Sequence, residues 1–152
     1  GIEVSCGLGM HSFMTTMRGE VPVEELIVNY PQEMKPLART VLEGLAGKYD
    51  QEEGYNVEGA KTIKPAIGAI PLIVVGGLRS RAYMERILID GIVDFVAICR
   101  PFVREPSLVK RFREGKTDVA SCASCNKCFA AVGNKMPVKC YNKTLPPAGS
   151  LA

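Results

Sequence analysis

Four of the six cysteines crowd the last third of the chain, at Cys122, Cys125, Cys128 and Cys140, in the pattern C-x2-C-x2-C-x11-C. Thiolates two residues apart on a turning backbone can converge on one metal centre, and a fourth from downstream closes it. The spacing admits a [4Fe–4S] cluster, a tetrahedral zinc, or thiols that are unliganded or oxidised. A second constellation lies upstream, where the apolar run IPLIVV stops on Gly76 and Gly77 and the run VDFVAI stops on Cys99, Arg100 and Pro101. Glycine lets the main chain approach an anion closely, and arginine adds a forked, charge-assisted pair of hydrogen bonds. If the two runs are neighbouring strands, their ends form one phosphate cradle. The plainer alternative is a tight strand-to-helix turn next to a surface cation.

The elements that must position these residues are read from hydrophobic periodicity. Residues 2–5 form a short strand, and residues 6–20 a glycine-punctuated loop holding the lone His11, a solvated loop histidine. Met34, Leu37, Ala38, Val41, Leu42 and Leu45 repeat at helical spacing, which predicts an amphipathic helix over 31–48 with Gly47 near its stop. A second helix is predicted over 55–66, ending near Pro65 and Gly68. Residues 70–75 are apolar throughout and too few for a helix, which suits a parallel strand covered on both faces. Ser80 is placed to cap a helix over 81–90, with Met84, Ile87 and Leu88 inward and Gly91 after its end. A buried strand over 93–98 and a helix over 107–114 follow. Strands alternating with helices indicate a parallel sheet with right-handed crossovers, open or closed into a barrel.

Composition sets the outer bounds. The chain has 152 residues, 47% of them hydrophobic, enough for one core and too few for two ordinary domains. The net charge of +3 arises from 19 basic and 16 acidic residues with no basic block, so neither nucleic acid nor a membrane surface is suggested as a partner. No apolar run approaches the roughly 20 residues that span a bilayer, and no leader pattern opens the chain, which places it in the cytoplasm. Clustered cysteines in a chain with long helical and strand patterns argue for metal over a disulfide framework. Cys6 stands apart and is read as a small buried residue.

The ordered set IPLIVVGGLRS, GIVDFVAICRPFVREP and CASCNKCF resembles the carboxyl-terminal part of the old yellow enzyme family, in its branch of NADH:flavin oxidoreductases and dienoyl-CoA reductases. The resemblance covers residues 1–5 and about 54–140. It implies the carboxyl-terminal part of a TIM (β/α)8 barrel over 1–115, with strands six, seven and eight at 2–5, 70–75 and 93–98, and a Cys-rich tail over 116–152. Residues 7–50 depart from the family and read as an insertion, either a lid over the active-site face or a structural elaboration. By resemblance, Gly76, Gly77, Cys99 and Arg100 contact the phosphate of FMN, at the phosphate site that barrels build after strands seven and eight. The family often has glycine where Cys99 stands. It also places a [4Fe–4S] cluster on the tail cysteines, usually with one more residue between the second and third than here.

What the resemblance implies for the complete enzyme is hydride transfer from NAD(P)H to FMN and onward to a small-molecule acceptor, an activated alkene or related electrophile. The family's catalytic residues lie on strands that would precede Gly1, so no catalytic residue is nominated. A barrel takes about 250 residues, and three strands here suggest a piece that self-associates or pairs with the missing half. Two other classes stay open: a non-enzymatic metal-binding or interaction module on a half-barrel scaffold, and another phosphate-binding barrel enzyme, which would leave the cysteines unexplained.

Overall fold

The computed structural model describes residues 1–6 and 17–146. Its centre is a three-stranded parallel sheet in the order β1 (Ile2–Val4), β2 (Leu72–Val75), β3 (Phe95–Ala97). Ile2 lies opposite Leu72 and Val4 opposite Val74, while Ile73 lies opposite Phe95 and Val75 opposite Ala97. Sequential parallel strands need crossover connections. Between β1 and β2 the chain runs through α1 (Val23–Ile27), α2 (Lys35–Glu43) and α3 (Val57–Ile63), and between β2 and β3 through α4 (Arg81–Ile89). After β3 come α5 (Arg100–Arg104), α6 (Leu108–Arg113) and α7 (Lys127–Gly133). This mixed α/β arrangement is compatible with part of a barrel.

One face of β2 makes the core. Leu72 and Val74 are fully buried against Val57 and Ala60 of α3, Met84 and Ile87 of α4, and Leu108 and Phe112 of α6. Ile73 and Val75, which alternate with them, are only half-buried, and Phe95 of β3 is exposed, so the expected cover on both faces is found on one. The strands are also shorter than their apolar runs. Val93 leaves the ladder to enter the core, and Asp94 closes the end of the sheet: its carboxylate accepts from Leu72 N at 2.7 Å while its own N–H donates to Leu72 O at 2.9 Å.

The predicted helix over 31–48 is a 3-10 turn at Gln32–Met34 followed by α2, which stops at Gly44. Proline at the second position of α2 fits a helix start, where its missing N–H costs nothing. The helix over 55–66 is α3 followed by a 3-10 turn at Lys64–Ala66, tightened where Pro65 cannot continue the ladder. Helices α1, α5 and α7 are additions to the sequence reading. α1 packs on α2 and α7, where Arg39 grips both carboxylate oxygens of Glu24 at 2.8 Å and Lys127 pairs with Glu25 at 2.6 Å. Among the described residues, no helix is long and apolar enough to cross a membrane.

Candidate functional site

β2 and β3 are adjacent and parallel, so their carboxyl ends open side by side. The structure brings Gly76, Gly77, Cys99 and Arg100 to one cavity of about 70 Å³, together with Arg79 and Ser124. That space is several times the roughly 10–15 Å³ that one water needs and far below a whole flavin. The glycines answer first to their neighbours. Gly77 has φ +66°, and a Cβ on it would lie 2.1 Å from Glu52 O; one on Gly76 would lie 2.9 Å from Asn56 Nδ2. The segment 51–56 thus presses on the strand end and fills the space that a side chain at either glycine would take.

Arg100 heads α5 and is anchored on three sides. Its Nη1 donates to Arg18 O at 2.7 Å and Asn126 Oδ1 at 2.6 Å, and its Nη2 to Gln51 Oε1 at 3.4 Å. Arg79 is a site residue that sequence reasoning missed, although it stands in the same GGLRS text. Its guanidinium donates to the Ser124 hydroxyl, and burial, with the repulsion of Arg100 adding to it, lowers its pKa. Two cations at one cavity are better accommodated with an anion between them. Ser80 occupies the cap position of α4 but does not cap with its side chain, because its hydroxyl is spent on Glu53 Oε2 at 2.6 Å. Glu53 also accepts from Arg79 N at 2.7 Å and Ser80 N at 2.6 Å, which pins the turn after Gly77. Neither Gln51 nor Glu53 carried a signal in the sequence.

Cys122, Cys125, Cys128 and Cys140, all half-buried, line a second cavity, and Arg100 and Ser124 belong to the walls of both. Ser124 and Asn126 adopt left-handed φ of 50° and 55°, a backbone cost of order 1 kcal/mol each that persists only where neighbours enforce it. Residues 17–20 do so. Asn126 Nδ2 donates to Met17 O at 2.7 Å and Glu20 O at 2.9 Å, Glu20 N donates to Ser124 O at 3.0 Å, and Gly19 lies so close that a Cβ would sit 2.1 Å from that same oxygen. Burial, then the nearby Cys122 and Cys125, push the Cys128 thiol above its ordinary value. Although the four thiols share a cavity, no three Cys, His, Asp or Glu side chains among the described residues close on a single ion. Cys99 is exposed, Cys6 is half-buried where a buried residue was expected, and His11 lies outside the described residues.

Parallel strands ending on a glycine pair and two arginines, with a thiol-lined cavity sharing one wall, make this an α/β protein with a basic, glycine-edged cavity beside four cysteines. The chain is 29% identical over 131 residues to a 4,4'-dithiodibutanoate disulfide reductase of Rhodococcus erythropolis, covering 86% of this chain and 32% of the relative. It is 37% identical over 76 residues to an NADH oxidase of Thermoanaerobacter brockii, covering 49% of this chain and 12% of that one. An NADH-dependent flavin oxidoreductase of Talaromyces variabilis is 36% identical over 67 residues, 44% of this chain and 16% of its own. The chain thus spans about a third or less of the length of these relatives. It is old yellow enzyme-like, similar to NADH:flavin oxidoreductases as its motifs indicated. No protein-family model matches it, and no solved structure does.

Proposed function

We propose that this chain is the FMN-phosphate-holding and cysteine-centre part of an NAD(P)H-dependent flavin oxidoreductase. The observation that carries the reading is the convergence of two neighbouring strand ends on a small cavity with Arg79 and Arg100 at its wall. The backbone N–H groups of Gly76, Gly77 and Cys99 and the two guanidinium groups are the assigned phosphate donors. FMN, when bound, accepts hydride from NAD(P)H and delivers electrons singly or in pairs. The acceptor is a small electrophile, an activated alkene or a relative of one. No catalytic residue is assigned on this chain.

Cys122, Cys125, Cys128 and Cys140 are assigned as ligands of a [4Fe–4S] cluster. A single zinc would draw four sulfurs to about 2.3 Å from one point, whereas a cluster gives each cysteine its own iron and spreads them. Four thiols lining one cavity support a shared centre. The donor set, sulfur alone, suits it as well.

The test is the absorption spectrum of the chain reconstituted without oxygen with iron and sulfide, mixed with FMN and gel-filtered. Retained flavin bands above a broad iron–sulfur shoulder are the expected result. A colourless protein that carries one zinc per chain would overturn the cluster, and flavin that elutes wholly apart from the chain would overturn the phosphate site.

A further inference from the structure

Arg104, the last residue of α5, is only 2% exposed and lies in the wall of the cysteine cavity. Its Nη1 donates to Cys140 Sγ at 3.6 Å, its Nε to Ser121 Oγ at 2.8 Å and its Nη2 to Pro146 O at 2.9 Å. All three acceptors are formally neutral groups. The adjacent carboxylate does not pair with it: Glu105 is turned to Arg111 and to Ser121, whose N–H and hydroxyl it accepts at 2.5 and 2.7 Å. Among the described residues, no carboxylate forms an ion pair with Arg104. A guanidinium taken out of water with no counter-charge is strongly disfavoured unless negative charge resides next to it. The cavity it lines is where four cysteine ligands and their metal would put that charge.

Resting on the cluster reading above, we infer that Arg104 is a positioning residue for the cysteine centre. It ties Ser121, the neighbour of Cys122, to Cys140, and its N–H donation to a ligating sulfur favours the more negative, reduced form of the cluster. Hydrogen bonds to ligand sulfurs and nearby charge are established determinants of cluster potential. The step concerned is addition of one electron to the cluster from an external reductant, dithionite in the test, with no proton taken up. Nothing in the sequence marked this arginine, since the side chain is placed by α5 and its acceptors come from 17 and 36 residues downstream.

The experiment is an anaerobic redox titration of the whole chain, reconstituted with iron and sulfide, as wild type, Arg104→Gln, Arg104→Lys and Arg113→Gln, with iron and sulfide counted in each. Arg104→Gln is expected to weaken reduction about tenfold or more, a midpoint lowered by about 59 mV for a one-electron couple. Arg104→Lys should fall between it and wild type, and Arg113→Gln, an exposed arginine outside the cavity, should not move. A fully loaded Arg104→Gln protein with the wild-type potential overturns the inference and leaves the cluster reading standing. A wild type that takes up no iron and sulfide overturns the cluster reading and this inference with it. If Arg104→Gln loses the cluster but keeps its circular dichroism, loading of Arg104→Lys with a lowered potential supports the role. Loss of fold in both variants overturns it in favour of a purely structural arginine.

Discussion

Gly77 and Gly91 share a φ of +66° and differ in what surrounds them. A Cβ on Gly91 meets nothing within 4 Å, whereas one on Gly77 meets the backbone oxygen of Glu52 at 2.1 Å. Gly91→Ala is therefore expected to cost only the left-handed strain of about 1–2 kcal/mol. Gly77→Ala should cost clearly more, because backbone must shift, and should weaken FMN binding about tenfold or more, roughly 1.4 kcal/mol. Urea unfolding and quenching of flavin fluorescence read the two effects separately; equal stability losses and equal FMN affinity in the two variants would refute the steric account. Glu53 supplies a pH test of the same turn. Burial opposes its ionisation, but the hydrogen bonds from Ser80 and Arg79 outweigh it and hold its pKa below the usual glutamate value. A depressed carboxylate contributes stability above its unfolded pKa and loses it as pH falls through the folded one. Glu53→Gln should thus be less stable than wild type near pH 7, and the gap should close as pH falls below the ordinary glutamate pKa of about 4.3. A gap that stays constant over that range would show that Glu53 acts by shape alone. That the glycine pair ends a strand was legible in the sequence, but its partners at 51–56 were not, because nothing local to Gln51 or Glu52 records which strand end they will press against.

Among the elements, the two apolar runs were readable because short stretches rich in β-branched residues and bounded by Pro71, Gly76 and Gly91 leave few alternatives. α5 was not, since five residues with proline at the second position show no periodicity. α7 was hidden inside a cysteine run that reads as loop. α2 shows a subtler difference. The apolar positions of the predicted helix repeat as one stripe, yet Ala38 and Leu42 are half-buried while Leu37 and Val41, with Met34 just before α2, are exposed, Leu37 by 69%. The reason is the partner: α1 is five residues long and covers only part of the stripe. Periodicity reports that a face is apolar, and the size of the neighbour decides how much of it is covered. Leu37→Gln is accordingly expected to change stability by no more than about 0.5 kcal/mol. Ile27→Ala in α1, at a side chain 2% exposed, should cost about 2–4 kcal/mol. A large loss for Leu37→Gln in denaturant unfolding would show that the α2 face is covered in solution.

For the whole molecule, the alternation of strands and helices was enough to predict a parallel sheet, and the order β1-β2-β3 follows from it. Whether such a sheet stays open or closes into a barrel is decided by strand number and tilt, which three strands do not record. The open geometry has a consequence in solution. Among the described residues, β1 and β3 each pair with β2 alone, so each offers one edge of unsatisfied backbone groups. Beside β3 the protein presents a cavity of about 490 Å³ lined by Val96, Ile98, Phe102 and Val109, and Phe95 on the strand itself is 58% exposed. An unpaired edge flanked by apolar surface is a template for another strand, and in a purified sample the available strand belongs to a second copy. Sedimentation velocity over about a hundredfold range of concentration should therefore show association that grows with concentration, to a dimer or larger species. Phe95→Lys puts a charge on that edge, the device by which natural edges are kept apart, and should move the distribution toward monomer without loss of the core, since Phe95 contributes no buried surface to it. A wild type that sediments as a single monomer at every concentration would refute the association. Association unchanged by Phe95→Lys would move the contact from β3 to the β1 edge, where Ile2 is 38% exposed.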